Sequence, residues 1–143
     1  MTTSEQLTQV FNDNFVAYFR SHAAHVNIMG RNFASDHKLL QKVYEDLQEQ
    51  IDRLGELLRT IDEFMPCDIG DVVANSNIII GPIEGKSLHL ISEVKDDLEY
   101  LKESYIKLME ISEEEEHDEI ANYAQDRILA LAKHIWMLNA TLD

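Results

Sequence analysis

The sequence predicts an all-α fold: a four-helix bundle whose second and third helices are joined by a long crossover carrying a short extra helix. Three observations predict it. Apolar residues recur at three- and four-residue steps through four stretches of the chain, the period of helices that each bury one face. Only 5 Gly and 2 Pro interrupt 143 residues. Both prolines and three of the glycines (Pro66, Gly70, Gly81, Pro82, Gly85) fall within one segment, between Phe64 and Gly85.

In the first helix, Ser4 is the expected cap, and Leu7, Val10, Phe11, Phe15, Tyr18 and Phe19 form an apolar stripe extending to Met29. Gly30-Arg31-Asn32 breaks it. A second helix is expected from Phe33–Ser35 to about Asp62, with Leu40, Val43, Leu47, Ile51, Leu54, Leu58 and Ile61 at the spacing of a bundle seam. The periodicity fails from Phe64 to Gly85, where Asp68–Ala74 can form two helical turns. A connection this long is uncommon between antiparallel neighbours, so the second and third helices should run parallel, as in ferritin-like folds. Ser87 is the expected cap of the third helix, with Ile91, Val94, Leu98, Leu101, Tyr105 and Leu108 as its seam. Ser112 and Glu115 have the S-x-x-E form of a capping box for the fourth, whose seam is Ile120, Ala124, Ile128, Leu131, Ile135 and Leu138.

A chain of 143 residues is expected to form one domain, residues 1–143, and to bury about two thirds of its unfolded surface. No apolar run approaches eighteen residues and no secretory signal pattern opens the chain, so a soluble cytoplasmic protein without a membrane partner is expected. The single Cys67 excludes an internal disulfide and reads as a small buried hydrophobe. A formal charge of −15 argues against a nucleic-acid partner and favours divalent cations, although an acidic surface also serves solubility alone. Gly-rich phosphate loops, nucleophile elbows and paired-Cys motifs are absent, which removes support for phosphoryl and acyl transfer.

The chemistry concentrates between His25 and Glu56. His25 and His37 flank the Gly30 turn, and Asp52 and Glu56 lie one helical turn apart, so imidazole and carboxylate together make a ligand set suited to iron, manganese or zinc. On one straight helix, the fifteen residues from His37 to Asp52 span about 22 Å, too far for one ion. A two-fold axis relating two antiparallel copies would bring His37 of one copy to Asp52 and Glu56 of the other, twice. Gly55 inside the helix suggests close approach by a neighbouring helix or the metal, and Glu45 and Glu49 extend an acidic ridge as accessory metal or nucleation candidates. Taken singly, each of these acids also reads as an ordinary solvated residue. His22, His89 and His134 have no assignable carboxylate partner and read as structural or surface histidines. The Glu114-x-x-His117 match sits in an acidic run that the helix dipole explains without a metal.

The stretch resembles the Dps family, the mini-ferritins, in a pattern close to H-W-N-x-x-G-x-N-F-x-x-x-H followed by Y-E-D-L and D-x-x-A-E-R. Here it reads His25-Val26-Asn27, Gly30-Arg31-Asn32-Phe33, His37, Tyr44-Glu45-Asp46-Leu47 and Asp52-Arg53-Leu54-Gly55-Glu56. Asp126-Arg127-Ile128 and Lys133-His134-Ile135-Trp136-Met137-Leu138 resemble the family's last helix. The resemblance implies a hollow homo-dodecamer in which Fe(II) is oxidised, commonly by hydrogen peroxide or else by oxygen, and stored as ferric mineral, a defence against oxidative stress. It makes His25, His37, Asp52 and Glu56 the catalytic and metal-binding residues of an intersubunit ferroxidase centre. Three departures stand out: Val26 replaces the usual Trp, Leu57 the usual Arg, and Asn122 and Ala132 stand where acidic pore residues are common. Glu113–Glu119 is the alternative source of entry charge. The family's Lys-rich tail has no counterpart here, the first basic residue being Arg20, so no DNA binding is expected. The competing function is a non-catalytic cage or structural assembly whose intersubunit sites hold Zn(II), an ion that also serves as a surrogate for iron.

Overall fold

The computed structural model describes residues 1–143. Five helices and no strand make it up: α1 (Thr3–Asn27), α2 (Phe33–Thr60), α3 (Ile69–Asn75), α4 (Ser87–Glu114) and α5 (Asp118–Leu142). The cap of α1 is Thr2, two residues before Ser4, because Thr2 and Glu5 form the reciprocal box: Glu5 N–H donates to Thr2 Oγ1 (3.1 Å) and Thr2 N–H to the Glu5 carboxylate (3.0 Å). Ser4 has Leu7 three residues on, which cannot return a hydrogen bond.

The buried face of α1 also differs from the expected stripe. Leu7, Val10 and Phe11 are buried, but Phe19 is 64% and Met29 66% exposed. The seam runs instead through Leu7, Val10, Asn14, Ala17, Ser21, Ala24 and Ile28, all buried, and four of these seven are small or polar. Asn14 fits the core because its Nδ2 donates to the Leu47 carbonyl of α2 at 3.0 Å. In α2, Leu40, Val43, Leu47, Leu54 and Leu58 are fully buried, as are all six seam residues of α4.

Helix α1 runs antiparallel to α4: Thr3 meets Glu115, Gln6 meets Ser104 and Arg20 meets Asp97. It also pairs antiparallel with α2 across the Met29–Asn32 turn, so α2 and α4 are parallel and residues 61–86 cross the bundle, as the loop length predicts. Within that crossover, α3 is capped by Asp68, which accepts from Asp71 N–H, and it packs Val72 into the core. The segment after α3 is held by the buried Asp13 of α1, whose carboxylate accepts from Asn77 N–H and from the hydroxyls of Ser76 and Ser104.

The other two expected serine caps move as well. Ser87 is the first residue of α4 rather than its cap; its hydroxyl donates to Asp36 of α2 and its N–H to the Met29 carbonyl (3.3 Å), so α4 is anchored on the α1–α2 turn. Ser112 lies inside α4 with its hydroxyl bonded back to the Leu108 carbonyl (2.6 Å). Helix α4 ends in a Schellman motif: Glu116 takes φ 64° and His117 N–H donates to the Ser112 carbonyl at 2.8 Å. Glu115, expected to complete a capping box, instead accepts from Thr3 N–H (2.6 Å) and Thr3 Oγ1 (2.5 Å) at the positive end of α1. Those hydrogen bonds hold its carboxyl below the ordinary value. Helix α2 ends in the same way at Thr60, with Asp62 at φ 63° and Glu63 N–H donating to the Leu58 carbonyl.

Candidate metal centre

The last turn of α1 presents His25 and the second turn of α2 presents His37. Between them the chain turns at Gly30, whose φ of 139° L side chains rarely adopt. Each histidine then bonds the other's backbone: His25 Nδ1 lies 2.7 Å from the His37 carbonyl and His37 Nδ1 lies 2.7 Å from the His25 carbonyl. A carbonyl oxygen only accepts, so both imidazoles carry their proton on Nδ1 and leave the Nε2 lone pair available. Outer-shell hydrogen bonds of this kind orient metal-ligating histidines. The two rings stack at 3.7 Å and 16°, and Phe33 stacks on His37 at 4.9 Å, so neither imidazole swings freely. His25 is buried and His37 half-buried.

Asp52 and Glu56 are exposed on α2, the same uninterrupted helix as His37. They line an open groove of about 670 Å³ with Glu49, Arg53, Leu57, Thr60 and Tyr123. Within one chain, no three His, Cys, Asp or Glu side chains converge to hold a metal ion. The structure therefore joins the two histidines into one half-set and the two carboxylates into another. Of the accessory candidates, Glu45 accepts from Gln41 Nε2 at 2.8 Å and Glu49 pairs with Arg53 at 3.1 Å.

Within the chain, a Cβ at Gly55 would lie 2.7 Å from the sulfur of Met65, so the glycine makes room for the start of the crossover. Cys67, expected to be buried, is exposed on the same crossover. Glu114 and His117 do not act together, since His117 lies beside Glu119 (3.8 Å) at the start of α5.

Two of the histidines read as lacking carboxylates have one. His89 lies 3.7 Å from Glu93 at the surface. His134 donates to Asp46 at 2.8 Å, and Asp46 also takes a two-point contact from Arg127 at 2.9 Å on each oxygen, tying α5 to α2. Burial alone would push the Asp46 carboxyl up; the hydrogen bonds from His134 and Arg127 outweigh it and hold the group well below the carboxylate range. His22 has no carboxylate but stacks on Tyr44 at 3.9 Å and 7°, with Tyr18 Oη 2.9 Å from its Nδ1. The i, i+4, i+7 placing of Tyr18, His22 and His25 along α1 was the available sequence signal for that cluster.

A family model described as the ferritin-like domain matches residues 4–143. The DNA protection during starvation protein of Helicobacter pylori is 27% identical over 146 residues, covering 99% of each chain. Antigen TpF1 of Treponema pallidum is 30% identical over 141 residues, 96% of this chain and 78% of that protein; its crystal structure superposes with a TM-score of 0.93 over 99% of this chain and 91% of that one. The Dps protein of Vibrio cholerae, described as a member of a broad superfamily of ferritin-like diiron-carboxylate proteins, shares the fold at a TM-score of 0.93 and 23% identity, with 99% and 89% of the chains covered. With the helix order, the parallel α2 and α4, and the His25–His37 turn already in place, these likenesses make the chain a member of the ferritin-like family and, within it, of the Dps group.

Proposed function

We propose that this protein is a ferroxidase and iron store: it oxidises Fe(II) at sites shared by two-fold-related copies and retains the ferric product inside a hollow homo-dodecamer. The observation that carries the reading is the reciprocal backbone lock on His25 and His37, which directs two Nε2 lone pairs away from the protein's own hydrogen bonds. His25 and His37 of one copy and Asp52 and Glu56 of the next supply the ligands for the iron substrate. The carboxylates are hard oxygen donors that favour the ferric product, and the neutral imidazoles add no charge, so the site binds Fe(II) and gains affinity as it becomes Fe(III). Hydrogen peroxide accepts two electrons, so each molecule consumes two Fe(II). Association is supported by an apolar groove of about 430 Å³ between α1 and the crossover, where Phe19 (64%), Ile69 (69%) and Ile80 (56%) are exposed.

The test is anaerobic loading of the assembled protein with Fe(II), then peroxide or oxygen in separate runs, with ferric absorbance and particle mass recorded. Wild type should oxidise iron faster than buffer and gain mass, and Asp52→Ala and Glu56→Ala should each lower the rate at least about tenfold, the loss of one ligand's share of affinity. Oxidation no faster than buffer would sink the reading, and metal retention without oxidation would point to the redox-inert Zn(II)-type assembly.

DNA binding is not part of this function. Twelve copies at −15 each carry roughly −180, which repels phosphate at every approach. Purified protein should leave duplex DNA unshifted in a low-salt gel; a retarded band would reverse this conclusion.

A further inference from the structure

The crossover begins with a segment that little holds in place. Residues 64–67 make no backbone hydrogen bond, and Phe64, Met65 and Cys67 are exposed. Arg59 ties the chain just before them, donating to the Glu63 carbonyl at 3.0 Å and lying 4.4 Å from the centre of the Phe64 ring. Met65 supplies the next contact. Its sulfur, Cγ and Cβ lie 2.7, 3.2 and 3.6 Å from where a Cβ at Gly55 would be, so the thioether lies along bare backbone in the turn of α2 that carries Asp52 and Glu56. Of the five methionines, Met1 (72%) and Met29 (66%) are more exposed than Met65 (44%), and Met109 and Met137 less so. Met65 thus combines an exposed side chain with a seat on a second element.

That combination makes its oxidation consequential. A thioether is a soft, apolar group, whereas a sulfoxide is polar and accepts hydrogen bonds. The seat on Gly55 offers it no donor, because the N–H groups of that turn are spent inside the uninterrupted helix. A polar oxygen there must turn to water, and the sulfur that carries it is the atom in contact. We propose that Met65 is a site of reversible oxidation by hydrogen peroxide, and that its sulfoxide releases the start of the crossover from α2.

The step is a transfer of one oxygen atom. A sulfur lone pair attacks peroxide, the S–O bond forms as the O–O bond breaks, and the departing hydroxide takes the remaining proton and leaves as water. Sulfur loses two electrons and peroxide gains them, so no other reactant is needed. The reverse step belongs to the thiol-dependent reductases that act on methionine sulfoxide. The proposal goes beyond the ferroxidase reading and does not depend on it, since the oxidant acts on sulfur directly. Its consequence falls on the same helix turn as the carboxylates of that reading.

The experiment uses the assembled, iron-free protein, both as wild type and with Cys67→Ser, which removes the other oxidisable group of the segment. Each is treated with hydrogen peroxide, mapped by peptide mass spectrometry and followed by amide hydrogen exchange. The Met65 peptide should gain about 16 Da, one oxygen atom, and exchange over residues 61–68 should quicken several-fold as the segment opens locally. Reductases specific for the two sulfoxide epimers should return both to their starting values. Met65→Leu fills the same place without sulfur and should show neither change on treatment. Untreated Gly55→Ala should quicken exchange in the same segment, because its Cβ displaces the thioether even though alanine favours the helix. Met65 left unmodified while Met1 and Met29 gain oxygen overturns the proposal. So does a sulfoxide that leaves exchange unchanged, the same quickening in Met65→Leu, or unaltered exchange in Gly55→Ala. With iron absent throughout, none of these results bears on the ferroxidase reading.

Discussion

Asp46 is one of the residues on which long-range polar structure converges. Arg127 grips both of its oxygens at 2.9 Å and His134 one of them at 2.8 Å, across 81 and 88 positions of sequence. Arg127 is 7% and Asp46 21% exposed, so the pair is shielded enough that removing one partner strands a charge. Asp46→Ala should therefore cost about 3 kcal/mol, seen as a fall in thermal midpoint of about 10 °C. The pH dependence follows from the direction of the shift. The folded-state pKa is depressed, so the stabilisation is complete above the unfolded value of about 3.9 and is lost as pH falls below it. Wild type should lose midpoint steeply below about pH 4, and Asp46→Ala should show a shallower acid limb; parallel limbs would mean that the network carries no linkage. The same residue sits in the Tyr44-Glu45-Asp46-Leu47 run, between the exposed Glu45 and the buried Leu47. Nothing in that run distinguishes the core anion from the solvated one beside it.

Helix ends were harder to read than helices. All four long helices and the short one lie where periodicity and breakers put them, because a helix burying one face repeats every 3.6 residues whatever its partners. The boundaries moved wherever two capping solutions competed. At Ser112 the S-x-x-E pattern describes a helix start, yet the residues before it continue the buried seam of α4, and Ser112 itself is fully buried. A start there would break a helix in its core. The Schellman turn four residues later satisfies the same carbonyls and places Glu116 in the left-handed region instead. That conformation costs a non-glycine residue about 1 kcal/mol, more than the roughly 0.5 kcal/mol of extra unfolded-state entropy that a glycine brings. Glu116→Gly should thus raise the thermal midpoint by about 1–2 °C, whereas a true capping box at Ser112 would make the substitution neutral or harmful. Calorimetry on the two proteins separates these outcomes.

At the scale of the whole molecule, one chain holds its paired histidines apart from Asp52 and Glu56 and carries an uncovered apolar face, and the proposed function ties the two features together. Phe19 lies on α1 six residues before His25 and borders the groove formed with Ile69 and Ile80. Phe19→Glu should lower the particle mass on light scattering and, because no chain completes the ligand set alone, reduce iron oxidation in proportion. Full assembly with Glu at position 19 would move the interface elsewhere.

The sequence by itself determined the helices, the crossover that makes α2 and α4 parallel, and the ligand types with their spacing, all set by relations among residues a few positions apart. It also bounded what one chain can do, since a helix of known rise separates His37 from Asp52. Only the tertiary structure decided which nitrogen of His25 and His37 carries the proton, that Gly55 admits Met65, that Asp46 belongs to α5 as much as to α2, and that Tyr18, His22 and Tyr44 cluster beside His25. Each of these depends on partners brought together by folding, from the ten residues between Gly55 and Met65 to the 88 between Asp46 and His134, or on facing helices. A carbonyl or a carboxylate supplied from that distance leaves no mark on the local pattern, although it fixes the tautomer of one group and the charge of another.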